Sequence, residues 1–202
     1  MAMTTTPEAG HSQAEATYRP AANRLGLWLF LASETFLFAA FISSRFVVSG
    51  TEQPEHLNQG LALLLTLLLL WSSISAFRAE AAMAHDNRRL FQREMLTTIV
   101  LGLLFLVGVG IEFNEALTDF PANSIYGSAF FMLIGLHAFH VLTGILALGV
   151  VWNLGRLGHY GSDNHWPVEG VVKYWHFVDL MWVAIYPTLY LFGGSGSDAV
   201  RC

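Results

Sequence analysis

Long apolar runs alternate with short polar stretches along this chain, and the runs exceed the length of ordinary core strands. Five of them stand out. The first spans about Leu25 to Val48, and the second about Leu57 to Phe77, through LALLLTLLLLW. The third covers about Met95 to Phe113, the fourth about Gly127 to Trp152, and the fifth about Val171 to Phe192. A helix rising about 1.5 Å per residue needs about 20 mostly apolar residues to cross a hydrocarbon layer about 30 Å thick. The ten-residue alternation of a membrane β-barrel is absent. The pattern therefore predicts an all-α fold, a polytopic membrane bundle of five transmembrane helices in one domain, residues 24–193. Residues 1–23 are polar and small, without the apolar stretch of a secretory signal, and are expected to form a disordered, uncleaved cytoplasmic tail. Residues 194–202 are expected to be a short tail.

Charge gives the bundle a direction. If the N-terminus is inside, the inner segments carry Arg19, Arg24, Arg78, Arg88, Arg89, Arg93, Arg156 and Lys173, leaving Arg45 and Arg201 outside. Eight of the ten basic residues on one side is a marked positive-inside bias, and five spans then put the C-terminus outside. Composition supports the membrane reading. The 202 residues are 54% hydrophobic and 12% charged, with mean hydropathy +0.49, whereas soluble domains carry roughly a quarter charged residues. A net charge of −5 with no basic stripe argues against a nucleic-acid partner. One cysteine, Cys202, cannot build an internal disulfide or a thiolate metal site.

Against this apolar background, ionisable groups inside spans carry the information, because each costs about 2.5–3.5 kcal/mol on insertion scales. They are Glu34 in the first span, His137 and His140 in the fourth, and His176 and Asp179 in the fifth. Glu112, near the outer end of the third, is placed to reach the interface. Counting residues from the span ends sets Glu34 level with His137, and His140 level with Asp179, so both pairings are open. His137, His140, Gly144 and Ala147 share one helical face, and His176, Asp179, Val183, Tyr186 and Tyr190 another. The two stripes are expected to face each other or a common interior. An i, i+3 histidine pair holds a metal only if further ligands such as Asp179 or Glu34 converge on it; interhelical hydrogen bonding is the simpler role. Glu34 fits either a proton-handling carboxyl or a neutral one that merely ties helices together. Trp28, Trp152, Trp166, Trp175 and Tyr126 fall near span ends, where amphipathic rings favour the headgroup region. Pro187 predicts a kink supported by neighbouring helices.

Four blocks, in order, resemble the subunit III family of heme-copper oxidases: WLFLASETFLFAAF around Glu34, VGVGIEFNEAL with Glu112, GSAFFMLIGLHAFHVLTG with His137 and His140, and KYWHFVDLMWVAIYPTLYL with Tyr174, Trp175, His176, Phe177 and Asp179. They cover about residues 24 to 193, and HxxHVxxG followed by YWHFVD is the specific part. The resemblance implies a short, five-helix bacterial member lacking the first two helices of longer relatives. It implies a non-catalytic subunit III of an aa3-type cytochrome c oxidase in the bacterial inner membrane. Such a subunit supports assembly, stability and proton uptake of a complex that reduces O2 to water. It implies no catalytic residue, metal or other cofactor in this chain, with heme and copper in partner subunits and phospholipid as a bound ligand. Subunit I is the implied direct partner, with subunit II and small subunits in the same complex. Glu34 matches the family's buried, carbodiimide-reactive carboxyl, and the missing helices put the family's lipid cleft in doubt. A quinol oxidase or nitric oxide reductase-associated subunit III is the near alternative. A stand-alone metal-dependent membrane enzyme on His137, His140, His176 and Asp179 is a different class, as is a transporter using Glu34, for which the inverted repeat and broken helices are missing.

Overall fold

The computed structural model describes residues 20–49, 59–119 and 124–191. The expected N-terminal tail, apart from residues 20–23, and the expected C-terminal tail with Arg201 and Cys202 lie outside these residues. All five elements are helices: α1 (Pro20–Ser49), α2 (Gln59–Ala84), α3 (Arg88–Asp119), α4 (Ile125–Arg156) and α5 (Trp166–Tyr190). Each holds most or all of one apolar run, and each extends beyond the run at one end or both. Polar end residues such as Arg78, Arg88 and Arg156 continue the helices past the apolar limits that the sequence marks.

Four helices, α1 to α4, are long and apolar enough to cross a membrane by length and composition. The fifth is long enough, but Glu169, Lys173, His176 and Asp179 and its tryptophans and tyrosines dilute its hydropathy. Its burial compensates. It packs on α1, α2 and α4, and Val168, Val172, Trp175, Asp179, Trp182 and Leu189 are all turned inward.

Helix neighbours define a closed ring, α2–α3–α4–α5 and back to α2, with α1 outside it against α4 and α5. The sequence spacing of the buried positions explains the ring. One buried series on α3 runs Phe91, Met95, Thr98, Gly102, Phe105, Val109, Glu112 and Ala116, and one on α4 runs Phe130, Ile134, His137, Val141, Gly144, Leu148, Val151 and Gly155, with Glu94, Gly108, Leu133, His140 and Ile145 among the buried residues beside them. Steps of three and four alternate strictly, the spacing that keeps one seam facing its neighbours in a bundle of nearly aligned helices. On α2 the same seam thins to Ser72, Ser75, Ala76, Ala79 and Ala82, and small side chains let neighbouring backbones come close. Between them sits the Trp175 indole. A Cβ added at Gly102 would stand 2.7 Å from it and one at Gly144 2.9 Å, so glycine is needed on both flanking helices. By contrast α1 buries a single narrow stripe, Leu31, Phe38 and Arg45, at seven-residue intervals.

The short connections are built for closure. Asp86 takes the left-handed conformation (φ 55°) after α2 and Gly158 does so (φ 86°) after α4. In each case the next N–H reaches back five residues, Asn87 to the Ala82 carbonyl at 2.8 Å and His159 to that of Leu154 at 3.1 Å, closing the helix end as a Schellman turn. Asn87 then accepts from the Leu90 N–H at 3.2 Å, starting α3.

Candidate functional site

His140 and Glu34 meet where α1 lies against α4. The imidazole Nε2 is 3.1 Å from the Glu34 carboxylate, and Nδ1 is 2.8 Å from the Leu136 carbonyl one turn back on the same helix. A carbonyl only accepts, so Nδ1 carries a proton. Nε2 is then either the acceptor of a protonated Glu34 or the donor of an imidazolium to a carboxylate. In either form a single hydrogen bond joins the two residues across the 3.1 Å contact. Phe38 covers the imidazole at 4.9 Å between ring centroids. The pair borders a groove of about 590 Å³ with Phe30, Leu37, Phe139, Thr143 and Tyr174. Thr143 and Tyr174 hydroxyls are 2.9 Å apart and tie α4 to α5 at its rim.

Of the two pairings left open by depth, Glu34 with His137 is overturned, and so is His140 with Asp179. The difference is one of helix face. His140 points from the ring toward α1, whereas His137, three residues earlier, points into the ring and is fully buried. Its neighbours there are aromatic: Phe105 edge-on at 5.7 Å, Trp182 at 5.0 Å and Phe38 at 6.4 Å. Neither ring nitrogen has a hydrogen-bond partner. Among the described residues no three His, Cys, Asp or Glu side chains converge on one point.

His176 and Asp179 face α2. The Ser73 hydroxyl is 2.7 Å from His176 Nδ1. It also lies close to Asp179, but both Asp179 oxygens are without a partner in hydrogen-bond geometry. On this helix the expected stripe is broken at Val183, which is 45% exposed.

Glu112 is 4% exposed rather than at the interface. The Tyr190 hydroxyl donates to it, while Gln59 Nε2 donates to the Tyr190 carbonyl at 3.3 Å and the Tyr126 hydroxyl to that of Leu189 at 3.1 Å. These bonds join α2, α3, α4 and α5 at one end of the ring. Tyr126 is therefore an internal tie as well as a ring near a span end, and its face receives the buried Arg45 guanidinium at 5.2 Å.

Trp175 also departs from expectation. Its exposure is zero and its Nε1 donates to Ser72 at 3.0 Å, so it is a core residue and not an interface anchor. Trp28 is 59% exposed, and Trp152 is half-buried under Arg156 at 5.2 Å. Residues the sequence did not single out complete the polar interior. Trp182 donates to Thr66 at 3.0 Å, Ser75 shares a hydrogen bond with Thr98 at 2.7 Å, and Arg78 pairs with the buried Glu94 at 3.0 Å. Serine and threonine within apolar runs were the available signal, since each needs a partner there.

At the loop end, Asp86 accepts from the Ser162 N–H at 2.9 Å and Arg88 donates to the Tyr160 carbonyl at 3.3 Å. The hydrogen bonds from the Ser162 side chain and then its backbone hold the Asp86 carboxyl below the usual aspartate range.

The sequence model of the cytochrome c oxidase subunit III family matches residues 7–194. Among curated proteins, the chain is 34% identical to cytochrome c oxidase subunit 3 of Alkalihalophilus pseudofirmus over 187 residues, covering 85% of this chain and 87% of that one. It is 34% identical to the same subunit of Pongo pygmaeus over 182 residues and 35% identical to that of Artemia franciscana over 179 residues. Both alignments cover 84% of this chain and 69% of the relative.

Proposed function

The chain belongs to the cytochrome c oxidase subunit III family, and on that footing we propose that it is the non-catalytic membrane subunit III of an aa3-type cytochrome c oxidase. In this reading it sits in a bacterial inner membrane with its N-terminus inside, next to the subunits that carry heme and copper, and supports assembly, stability and proton uptake of the complex.

The Glu34–His140 pair carries the proposal. It is a proton-sharing carboxyl–imidazole couple, mostly buried but 19% exposed on the Glu34 side, in a groove on the outer wall of the helix ring. Such a couple takes up or releases a proton without moving either helix, which suits a subunit that supplies protons to a neighbour. The other intramembrane groups support a scaffold role. Tyr190–Glu112, Trp175–Ser72 and Trp182–Thr66 each join two helices. The two histidines of α4 are poorly placed as metal or heme ligands. Both nitrogens of His140 are engaged, and those of His137 are walled in by aromatic rings on a different face. The chemistry of oxygen reduction would then belong entirely to the partner subunits.

Purification of the intact complex from native membranes tests this. The expected result is co-purification with larger chains bearing heme a and copper, and oxygen uptake driven by reduced cytochrome c. Turnover with quinol alone would replace this reading with the quinol oxidase branch. Stoichiometric metal in the separated chain would replace it with the stand-alone enzyme.

A further inference from the structure

Asp179 is the intramembrane carboxyl that the Glu34–His140 couple does not explain. It is 4% exposed, and neither oxygen has a hydrogen-bond partner. A carboxylate left so would be an uncompensated buried charge, which proteins avoid. A neutral acid has no such charge. The surroundings supply a route for its proton. Ser73 on α2 lies beside it, and the same hydroxyl is 2.7 Å from Nδ1 of His176, three residues before Asp179 on the same helix. A hydroxyl has one proton to give; here Ser73 is bonded to His176 and not to Asp179, so reaching the carboxyl requires the hydroxyl to turn, and that turn is coupled to the imidazole tautomer.

His176 in turn lines a groove of about 440 Å³ between α1 and α5, with Trp28, Thr35 and Lys173. This groove is on the opposite side of α5 from the rim formed by Tyr174 and Thr143. Lys173 lies one turn, about 4.5 Å, nearer the loop end, and beside it Glu169 pairs with Arg24 at 3.6 Å. Charged residues of this kind mark the headgroup level. The groove therefore begins at a hydrated level, passes His176 and continues along apolar residues to Leu180.

We propose that His176, Ser73 and Asp179 form a proton relay, separate from the Glu34–His140 couple, that loads and unloads a neutral Asp179 from the α1–α5 groove. The step balances. A proton arriving from the groove binds His176 Nε2, His176 passes its Nδ1 proton to Ser73, and Ser73 passes its own to an Asp179 oxygen. Imidazole ends as the Nε2–H tautomer accepting from Ser73, and Asp179 ends as the acid. Facing groups are few. Lys173 on α5 is the charged neighbour of His176. On α2, Glu80 lies two turns from Ser73 and answers Lys173 and Glu169 rather than Asp179. From α1, Thr35 is the polar residue in the groove.

Infrared difference spectroscopy of the intact detergent-solubilised complex during exchange into D2O tests the relay. A protonated-carboxyl C=O band is expected that disappears in Asp179→Asn. In Ser73→Ala the band should remain, and its downshift on deuteration should slow by about a hundredfold, the usual worth of a positioned proton-transfer group. His176→Phe should slow it similarly. Where Asp179→Asn does not assemble, the Ser73→Ala exchange rate alone decides. An Asp179 carboxylate band, or unchanged exchange in an assembled Ser73→Ala complex, overturns the proposal, whatever the electron donor of the oxidase proves to be.

Discussion

At the level of single residues, position on a helix face decided what each polar group does, and depth did not. Glu34, His137, His140, His176 and Asp179 were all legible in the sequence as costly intramembrane groups. Their partners were not, because a three-residue step between His137 and His140 turns one into the ring and the other toward α1. The bonding of His140 leads to a specific expectation. Glu34→Gln keeps size and can still donate to Nε2, so the complex should assemble as before. Proton uptake should be impaired, since an amide cannot pass the proton on. Stopped-flow pH-indicator measurements on the assembled complex would check this; unchanged uptake would reduce Glu34 to a helix tie. Trp175 gives a stability expectation. Trp175→Phe removes the N–H donated to Ser72, whose hydroxyl keeps its own bond to the Leu69 carbonyl at 2.7 Å, and the lost bond is worth about 0.5–1.5 kcal/mol. A lower thermal midpoint of the solubilised complex is the readout. Asp86 adds a pH dependence outside the membrane. Its carboxyl is held below the usual aspartate range, so its contribution to loop docking is complete above that range and is lost as pH falls through the depressed value. Limited proteolysis of the two loops should accelerate on that acid side, and Asp86→Asn should remove the dependence.

Among elements, the five helices were foreseeable from apolar run length, and their ends were not. Polar caps and Schellman turns at Asp86 and Gly158 extend or stop helices independently of hydropathy. The last helix stops at Tyr190, with Pro187 in its final turn and the Leu191 N–H bonded to the Pro187 carbonyl at 3.0 Å. The helix continues three residues past this proline, in the span where the sequence pattern had suggested a kink. Helix α5 was legible from its apolar run although its polar residues lower its hydropathy, and those residues are sheltered by three neighbours. The α4 seam depends on glycine opposite Trp175. Gly144→Val would drive a branched side chain into the indole, and overpacking of this kind costs about 1–3 kcal/mol. The expected result is reduced yield of assembled complex with an unchanged heme spectrum in what survives. Wild-type yield and thermal stability would show that the α4–α5 contact is looser than its geometry.

For the whole molecule, the ring of α2 to α5 with α1 on its flank was the least legible feature. Chain order suggested neighbours, but the closure of α5 onto α2 depends on small and hydroxyl side chains at Ser72, Ser73 and Thr66 that look unremarkable in an apolar run. That closure sends the ring's polar groups toward one another. It leaves the Glu34–His140 pair and the groove beside it on the outer wall, where a partner subunit or lipid would meet them. The proposed role is that of a scaffold and proton-handling subunit whose redox partners are other polypeptides. Native mass spectrometry of the assembly released from detergent, with heme and metal counted on each dissociated chain, addresses that directly. The predicted result is one copy of this chain without heme or metal, dissociating from larger chains that retain both heme and copper. Iron or copper remaining on this chain after dissociation, or its release from native membranes as a lone polypeptide, would contradict the account.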